Sequence, residues 1–506
     1  MTTEVQTTLE NEKKKSATLH FVEFLRKKDY RRIGNNIYSW NGVYWSRLDS
    51  SKIYEIAGKY LEQYMPAMVS DKMIKSCAAT AGMILQELKQ KKSNNEIVIP
   101  CADYVLRLLS DGSLTISEPD QDRDTHTYCL NVYLRKFLPN PELASELQFK
   151  DYKIELPELN KSGLFSHYLS TSLPANDVQL TLSQWVGYSL TPIINGETKA
   201  VYLLGDGRNG KSVLIDVVSA LHYKVTSLKL DKLGPSDLSE MIDATLVFSP
   251  DAGKNIQEDN FKALVTGDKI QVKLLYKDPM TFQPKAKFII AANQLPLGLD
   301  KSDGLWRRFI FIDFNQKLED SQIIADIKDR IIEDELDQVL IWALKGLRSL
   351  LLNNMKFHSL ECDTILKKQA QLNNNSAWRF LLERSLKHKE DASISKKDVY
   401  LNYNDFCISR GEKPMSSSVF WPMLEKAFNR EYGIEVNFEG KLKGHNGIRE
   451  RFVQLVFDSD LPNDHQSKNY KQVFNREVIE INNKRYIVKI DVDFETNLET
   501  ARLEQV

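Results

Sequence analysis

Four short apolar runs punctuate the middle of the chain: Ala200 to Leu204, Thr245 to Ser249, Lys287 to Ala292 and Phe309 to Phe314. They are rich in β-branched and aromatic residues and do not alternate with polar ones. A run that is apolar on both faces predicts a strand covered on both faces, as in a parallel sheet held between helical layers. Val213 to Leu221, between the first two runs, has helical spacing, so the order strand, helix, strand predicts an α/β fold. Outside this stretch the period changes. Met73 to Lys89 and Leu318 to Leu352 read as helices, the latter with core-facing spacing through Glu335 to Leu344. Ile37 to Trp45 reads as an aromatic hairpin turning at Asn41-Gly42.

The turn after the first run is Gly205-Asp206-Gly207-Arg208-Asn209-Gly210-Lys211-Ser212, which satisfies G-x-x-x-x-G-K-[ST] between a strand and a helix. Glycines let backbone N–H groups wrap a phosphate without a Cβ in the way, and the helix N-terminus adds partial positive charge. Lys211 is expected to reach the β and γ phosphates, and the Ser212 hydroxyl to ligate Mg²⁺. ATP and Mg²⁺ are therefore the expected cofactors, with all eight residues as the cradle.

The later runs place further chemistry. Asp251 follows the second strand, where a carboxylate serves the Mg²⁺ shell or the attacking water. Asn293 ends the third, where its amide would orient water beside the γ phosphate. Arg307 and Arg308 precede the fourth, a position suited to an arginine finger supplied by a neighbouring subunit.

In this order the residues resemble the superfamily 3 helicases of the AAA+ class, in the branch of phages, plasmids, integrated islands and large DNA viruses, related to the C-terminal domains of poxvirus-type helicase-primases. The likeness covers roughly residues 160 to 355. It begins at Gln184-Trp185-Val186-Gly187-Tyr188-Ser189-Leu190 and includes the Asn209-Gly210-Lys211-Ser212 loop ending. It continues through Leu264-Val265-Thr266-Gly267-Asp268, Phe282-Gln283-Pro284, Ala292-Asn293-Gln294-Leu295-Pro296 and Asp303-Gly304-Leu305-Trp306-Arg307-Arg308. It implies a hexamer, 3′ to 5′ movement on one strand, and Arg308 acting in trans, with Arg307 as the fallback. One departure stands out: the family usually ends its second strand with a glutamate or an acid pair, whereas Ser249-Pro250-Asp251-Ala252 offers one aspartate. Its role, metal or water, stays open, and Glu258 and Asp259 are further candidates.

Lys269 to Lys287 holds lysines at 269, 273, 277, 285 and 287 against the single acid Asp278, with Tyr276 and Phe282 interleaved. The resemblance implies a hairpin projecting into a ring channel, with Lys273, Tyr276 and Lys277 on single-stranded DNA. Charge plus an aromatic face suits sequence-independent binding.

Composition narrows the rest. With 68 basic and 69 acidic residues the net charge is −1, so attraction to DNA has to be local. The five cysteines (77, 101, 129, 362 and 407) have no zinc spacing, and free thiols are expected. No apolar run approaches membrane length and Met1 to Ser16 is polar, so a cytoplasmic protein without membrane partners is expected.

The expected domains are a tail (1–16), an α+β accessory domain (17–160), a helical collar (161–198), the AAA+ core (199–320), a helical lid (321–372), a winged-helix-like domain (373–460) and a β extension (461–506). In the accessory domain, Tyr38, Trp40, Tyr44 and Trp45 read as the core of a small sheet rather than as a platform for bases. The winged-helix pattern is a helix from Lys397 to Arg410, a second from Ser416 to Asn429, and strand-like Glu435 to Phe438 and Phe452 to Phe457 around Lys441, Lys443, His445, Arg449 and Arg451. The β extension suggests one strand pair, Glu477 to Ile481 with Arg485 to Ile490. Together these features predict an ATP-driven ring helicase acting on single-stranded and forked DNA in replication of a mobile element or virus. The C-terminal domain is available for origin duplex, and a separate primase or initiator is a possible partner. The alternative is an origin-binding initiator or loader whose ATP site governs assembly.

Overall fold

The computed structural model describes residues 17–505, apart from 90–95, 138–150, 194–195, 251–255, 274–279, 298–302, 320–321, 391, 440, 446–447, 458–477, 482–483 and 494–497. The chain forms two compact units, Met1–Asn374 and Asn375–Val506.

The first unit is organised on five parallel strands: β1 (Ala200–Leu204), β2 (Val225–Ser227), β3 (Leu246–Ser249), β6 (Lys287–Ala292) and β7 (Phe309–Asp313). Their order across the sheet is β7-β1-β6-β3-β2. Every pairing is parallel, so all strands point their carboxyl ends to one edge, where an open α/β sheet binds its ligand. Four of the strands coincide with the four apolar runs. β2 escaped notice because Val225-Thr226-Ser227 is short and its outer residues are exposed. Between β3 and β6 stand helix α4 (Glu258–Thr266) and a small antiparallel hairpin, β4 (Ile270–Val272) with β5 (Met280–Phe282).

Helices cover the sheet: α1 (Leu164–Ser172), α2 (Asn176–Ser189), α3 (Lys211–Leu221), α5 (Ile327–Asp334), α6 (Leu336–Leu352) and α7 (Glu361–Asn373). The expected helix from Leu318 to Leu352 is two, broken at Glu335, and its first residues are not helical. The break has a purpose. The Glu335 carboxylate accepts the N–H groups of Leu164 and Phe165, both at 2.8 Å, and so caps the start of α1. α2 and α6 cross through glycines. A Cβ on Gly187 would lie 2.2 Å from the Ala343 carbonyl oxygen, and one on Gly346 would lie 2.2 Å from the Ser183 carbonyl carbon. The Gln184-to-Leu190 motif is therefore a packing motif: Trp185 is fully buried, and Gln184 bonds Ser349 Oγ and the N–H of His358.

Ahead of the sheet lies a three-stranded antiparallel sheet (Tyr30–Ile33, Asn36–Trp40, Trp45–Arg47) with helices Ser50–Tyr64 and Asp71–Ile84. A four-stranded antiparallel sheet follows. Of the four aromatics expected in the core of this sheet, Tyr38 and Trp45 are buried, and Trp40 and Tyr44 are half-buried. Asn41 and Gly42 belong to a longer turn than expected, in which Asn41 Oδ1 accepts the N–H groups of Val43 and Tyr44.

In the second unit, α8 (Ser376–Glu383) precedes α9 (Lys396–Ser409) and α10 (Ser417–Tyr432). Strands β8 (Leu386–His388) and β9 (Ile394–Ser395) stand between α8 and α9, the hairpin β10 (Lys441–His445) with β11 (Ile448–Val453) follows α10, and β9 pairs on β11. Glu435 to Phe438 is not a strand; the turn after α10 runs through it and β10 begins later. Beyond residue 477 three antiparallel strands stand where one pair was expected, Leu498–Gln505 being the addition. The tail expected at 1–16 lies outside the described residues. No helix among the described residues is long and apolar enough to cross a membrane.

Candidate functional site

The end of β1 leads straight into the glycine-rich loop. Gly205 has φ +148°, and its N–H donates to the Ala292 carbonyl on β6 at 3.2 Å. A Cβ there would sit 2.4 Å from Asn209 Nδ2 and 2.5 Å from the Phe314 carbonyl oxygen, so the position admits only glycine. Gly210, at φ +91°, closes the loop, and its Cβ would meet Ser172 Oγ at 2.4 Å. Gly207 faces open space, and Arg208 holds a left-handed φ of +62° on the exposed arc of the loop.

Two side chains brace the loop from inside. Asn209, 5% exposed, donates Nδ2 to the Phe314 carbonyl at 2.7 Å and so ties the loop to the end of β7. Lys211 Nζ donates to Asn209 Oδ1 at 3.1 Å, to the Asp206 carbonyl at 2.9 Å and to the Gly205 carbonyl. Burial lowers the Lys211 pKa, and the carboxylates of Asp206 and Asp313 oppose that. Asp313, at the end of β7, is pushed up by its own burial, and Asp206 adds to the rise. The first intrahelical bond of α3 is Leu214 N–H to the Gly210 carbonyl, at 3.2 Å. The N–H groups of Lys211, Ser212 and Val213 are thus the orphan donors of the first turn. Ser212 is exposed beside them.

Asn293 follows β6 directly and is exposed. Because β6 lies between β1 and β3, Asn293 stands between the carboxyl ends of those two strands. Asp251 follows β3 in sequence and lies outside the described residues. Glu258 and Asp259 open α4, with Lys262 Nζ 3.4 Å and 3.5 Å from them. Among the described residues no group of His, Cys, Asp and Glu has the arrangement of a metal site.

The remaining motifs gather at the opposite edge of the sheet, where the strands begin. Gly267 ends α4 at φ +70°, and its carbonyl accepts Gln283 Nε2 at 2.9 Å. Thr266 Oγ1 donates to Asp268 at 2.8 Å. Arg307 is exposed, whereas Arg308 is half-buried and donates Nη1 to the Gly304 carbonyl. Burial and then Arg307 lower the Arg308 pKa, and Asp268 opposes them. Lys273 is exposed at the end of β4, its backbone N–H bonded to the Pro235 carbonyl. Tyr276 and Lys277 lie outside the described residues.

Two of the five lysines do not belong to an exposed hairpin. Lys287 opens β6 in the core, 5% exposed, with Nζ on the Ile193 carbonyl at 2.7 Å and 4.5 Å from the Tyr188 ring centre. Lys285 is half-buried beside it. Spacing could not separate these from the hairpin lysines, because alternation reads the same in an edge strand and at the start of a central one.

Sequence reading also missed the support behind the loop. Tyr168 on α1 donates its hydroxyl to the Gly210 carbonyl at 3.0 Å, and α1 is itself capped by Glu335. A long-range contact of this kind leaves no local spacing to find.

Comparison with known proteins bears on the same stretch. A family model described as a family of unknown function (DUF5906) matches residues 203–308, from the end of β1 to Arg308. A protein of Acanthamoeba polyphaga mimivirus named "Putative helicase L207/L206" is 32% identical over 135 residues, which are 24% of this chain. The match spans 14% of that relative's length. Among solved structures, the C-terminal region of NrS-1 (residues 305–718) aligns at 13% identity over 59% of this chain and 76% of that one, with a TM-score of 0.38. A second form of it aligns at 14% identity over 58% and 76%, with a TM-score of 0.38.

Proposed function

We propose that the chain is an ATP-hydrolysing DNA helicase of the superfamily 3, AAA+ type, working as a ring with each ATP site shared between neighbours. The observation that carries this reading is the strand order β7-β1-β6-β3-β2. It brings the glycine-rich loop, Asn293 and the end of β3 to one edge, while Arg307 and Arg308 stand at the other. The name of the mimivirus relative, over its matched segment, supports a helicase reading.

The residues present fit a nucleoside triphosphate with Mg²⁺. The first-turn N–H groups of α3 and the open space over Gly207 suit phosphate oxygens, Lys211 adds charge beside them, and Ser212 presents a hydroxyl. Mg²⁺, when bound, neutralises charge developing on the transferred phosphoryl group. Ser212 and Asp251 would hold it. Asn293 would orient the water, and Arg308 or Arg307 would stabilise a neighbour's transition state.

On this reading Lys273, Tyr276 and Lys277 carry a DNA strand and coupled hydrolysis moves it. The test is strand displacement on a 3′-tailed against a 5′-tailed fork with ATP and Mg²⁺. The 3′ tail should be required, and no displacement from either fork rejects the helicase reading. A second reading, an ATP-regulated origin-binding initiator, is supported by the helix, helix and hairpin order of α9, α10, β10 and β11, the order expected of a winged-helix-like domain. It expects tight duplex binding in the same assay and no displacement.

A further inference from the structure

A cavity of about 730 Å³ opens at the starting edge of the parallel sheet, on the far side from the glycine-rich loop. Its walls come from the three-stranded sheet (Tyr38, Arg47), from Tyr128, and from Gln283 and Lys285 between β5 and β6. The size lies within the range of sites for small molecules.

The lining has a definite chemistry. Lys285 stands on one wall, and the buried Lys287 lies behind it with Nζ on the Lys285 carbonyl at 3.1 Å. Arg47 is the second cation on these walls. The acid among these walls, Asp243, is engaged by Arg47 Nη1 at 3.1 Å, and Arg47 Nη2 bonds Asn36 at 2.9 Å. Two tyrosines and the amides of Asn36 and Gln283 share the surface with apolar residues such as Ile33 and Met241. Lys285 and Arg47 on the walls favour an anion, and tyrosines with amides favour a flat, hydrogen-bonding ring. A nucleoside phosphate combines the two.

We propose that this cavity seats one nucleotide of the single strand that the β4–β5 hairpin holds, its phosphate toward Lys285 and Arg47 and its base among Tyr38, Tyr128 and Gln283. The inference rests on the DNA-binding reading above. It draws its strand assignment from continuity, since Thr281, Phe282 and Gln283 belong both to the cavity wall and to the end of the hairpin. The three-stranded sheet would then guide the strand rather than only flank the core.

The experiment uses the full chain with an oligothymidylate carrying one 4-thiothymidine, crosslinked by light and mapped by mass spectrometry, alongside Kd by fluorescence anisotropy. Adducts are expected within residues 33–47 or 127–128. Lys285→Gln, which removes the charge and keeps a polar side chain, should raise Kd by about tenfold, the loss of one charge-assisted contact. Adducts confined to the hairpin, with Kd unchanged in Lys285→Gln, overturn the cavity while leaving DNA binding intact. Failure of the unmutated chain to bind the oligothymidylate overturns the DNA reading and the cavity with it. Cavity adducts with 4-thio-dTMP but not with the oligomer assign the site to a free nucleotide and overturn the strand assignment.

Discussion

The carbonyl of Arg308 accepts the N–H of Ala200 at 2.7 Å, which fixes the arginine pair at the beginning of β1, the strand whose far end carries the glycine-rich loop. Five residue steps lead from Ala200 to Gly205 at the start of the loop, roughly 16 Å at the usual rise of a parallel strand. That span sets Arg308 away from the Lys211 of its own chain, and on the proposed ring reading an arginine finger here would act on a neighbour.

Mixing two inactive variants tests that geometry. Lys211→Ala removes charge from the transferring phosphate, so hydrolysis should fall by about two or more orders of magnitude. Arg308→Ala should bind ATP and hydrolyse it poorly. A mixture creates interfaces in which an intact loop meets an intact arginine, and its ATPase should exceed the average of the two variants. If labelled subunits exchange and no activity returns, Arg308 does not act in trans, and the experiment is repeated on the more exposed Arg307.

The hairpin makes a separable prediction. Lys273 is exposed at the end of β4, so Lys273→Ala should weaken oligothymidylate binding and reduce its salt slope by roughly 0.7 for one lost phosphate contact. An unchanged slope with unchanged Kd moves the DNA path off the hairpin.

How much of this was legible beforehand follows from range. Local signals were sufficient where the chain carries its own instruction: continuous apolar runs announced four of the five strands, and the glycines of the loop announced its turn. Signals failed where the determinant is distant. Glu335 reads as one more acid on a helix, yet it ends α5 and caps α1 about 170 residues away. Lys287 reads as a hairpin charge, and only the sheet order shows it entering the core. Gly187 and Gly346 sit in helical patterns where glycine is a cost, and the reason for each is the opposite helix.

That helix crossing can be measured. A Cβ at Gly346 would lie 2.2 to 2.5 Å from backbone atoms of Ser183 and Gln184, which cannot rotate away. Gly346→Ala should destabilise the first unit by about 1–3 kcal/mol in denaturant, despite the better helix propensity of alanine. Gly207→Ala, whose Cβ meets open space, should change stability by less than about 0.5 kcal/mol. Equal effects of the two would show that the crossing is looser than the geometry indicates.

Tyr168 offers a test of loop support. Tyr168→Phe removes the 3.0 Å hydrogen bond to the Gly210 carbonyl and leaves the ring packing in place. The loss of about 1 kcal/mol should raise KM for ATP roughly fivefold if the bond holds the loop in its binding shape. A fall in melting temperature with KM unchanged would make Tyr168 a packing residue alone.

The buried lysine predicts a pH dependence of stability. Burial first, and the charge of Lys285 second, bring the Lys287 pKa from 10.5 down to about 7. The unfolded chain keeps the ordinary value, so between about pH 7 and 10.5 it binds a proton that the folded chain does not. Stability contributed by this position therefore rises with pH across that window, by up to about 1.4 kcal/mol per pH unit. Below the window both states are charged and the cost of a buried ammonium is at its full value. The neutral amine still donates to the Ile193 carbonyl, so its hydrogen bond survives deprotonation. Lys287→Met, similar in length and uncharged, should gain most over the wild type at about pH 6.5 and lose that advantage progressively from about pH 7 towards 10.5, as read by denaturant melts of both proteins. A difference between the two proteins that stays constant over this range would mean that Lys287 remains charged in the folded core, held by a partner stronger than the two carbonyls and the Tyr188 ring.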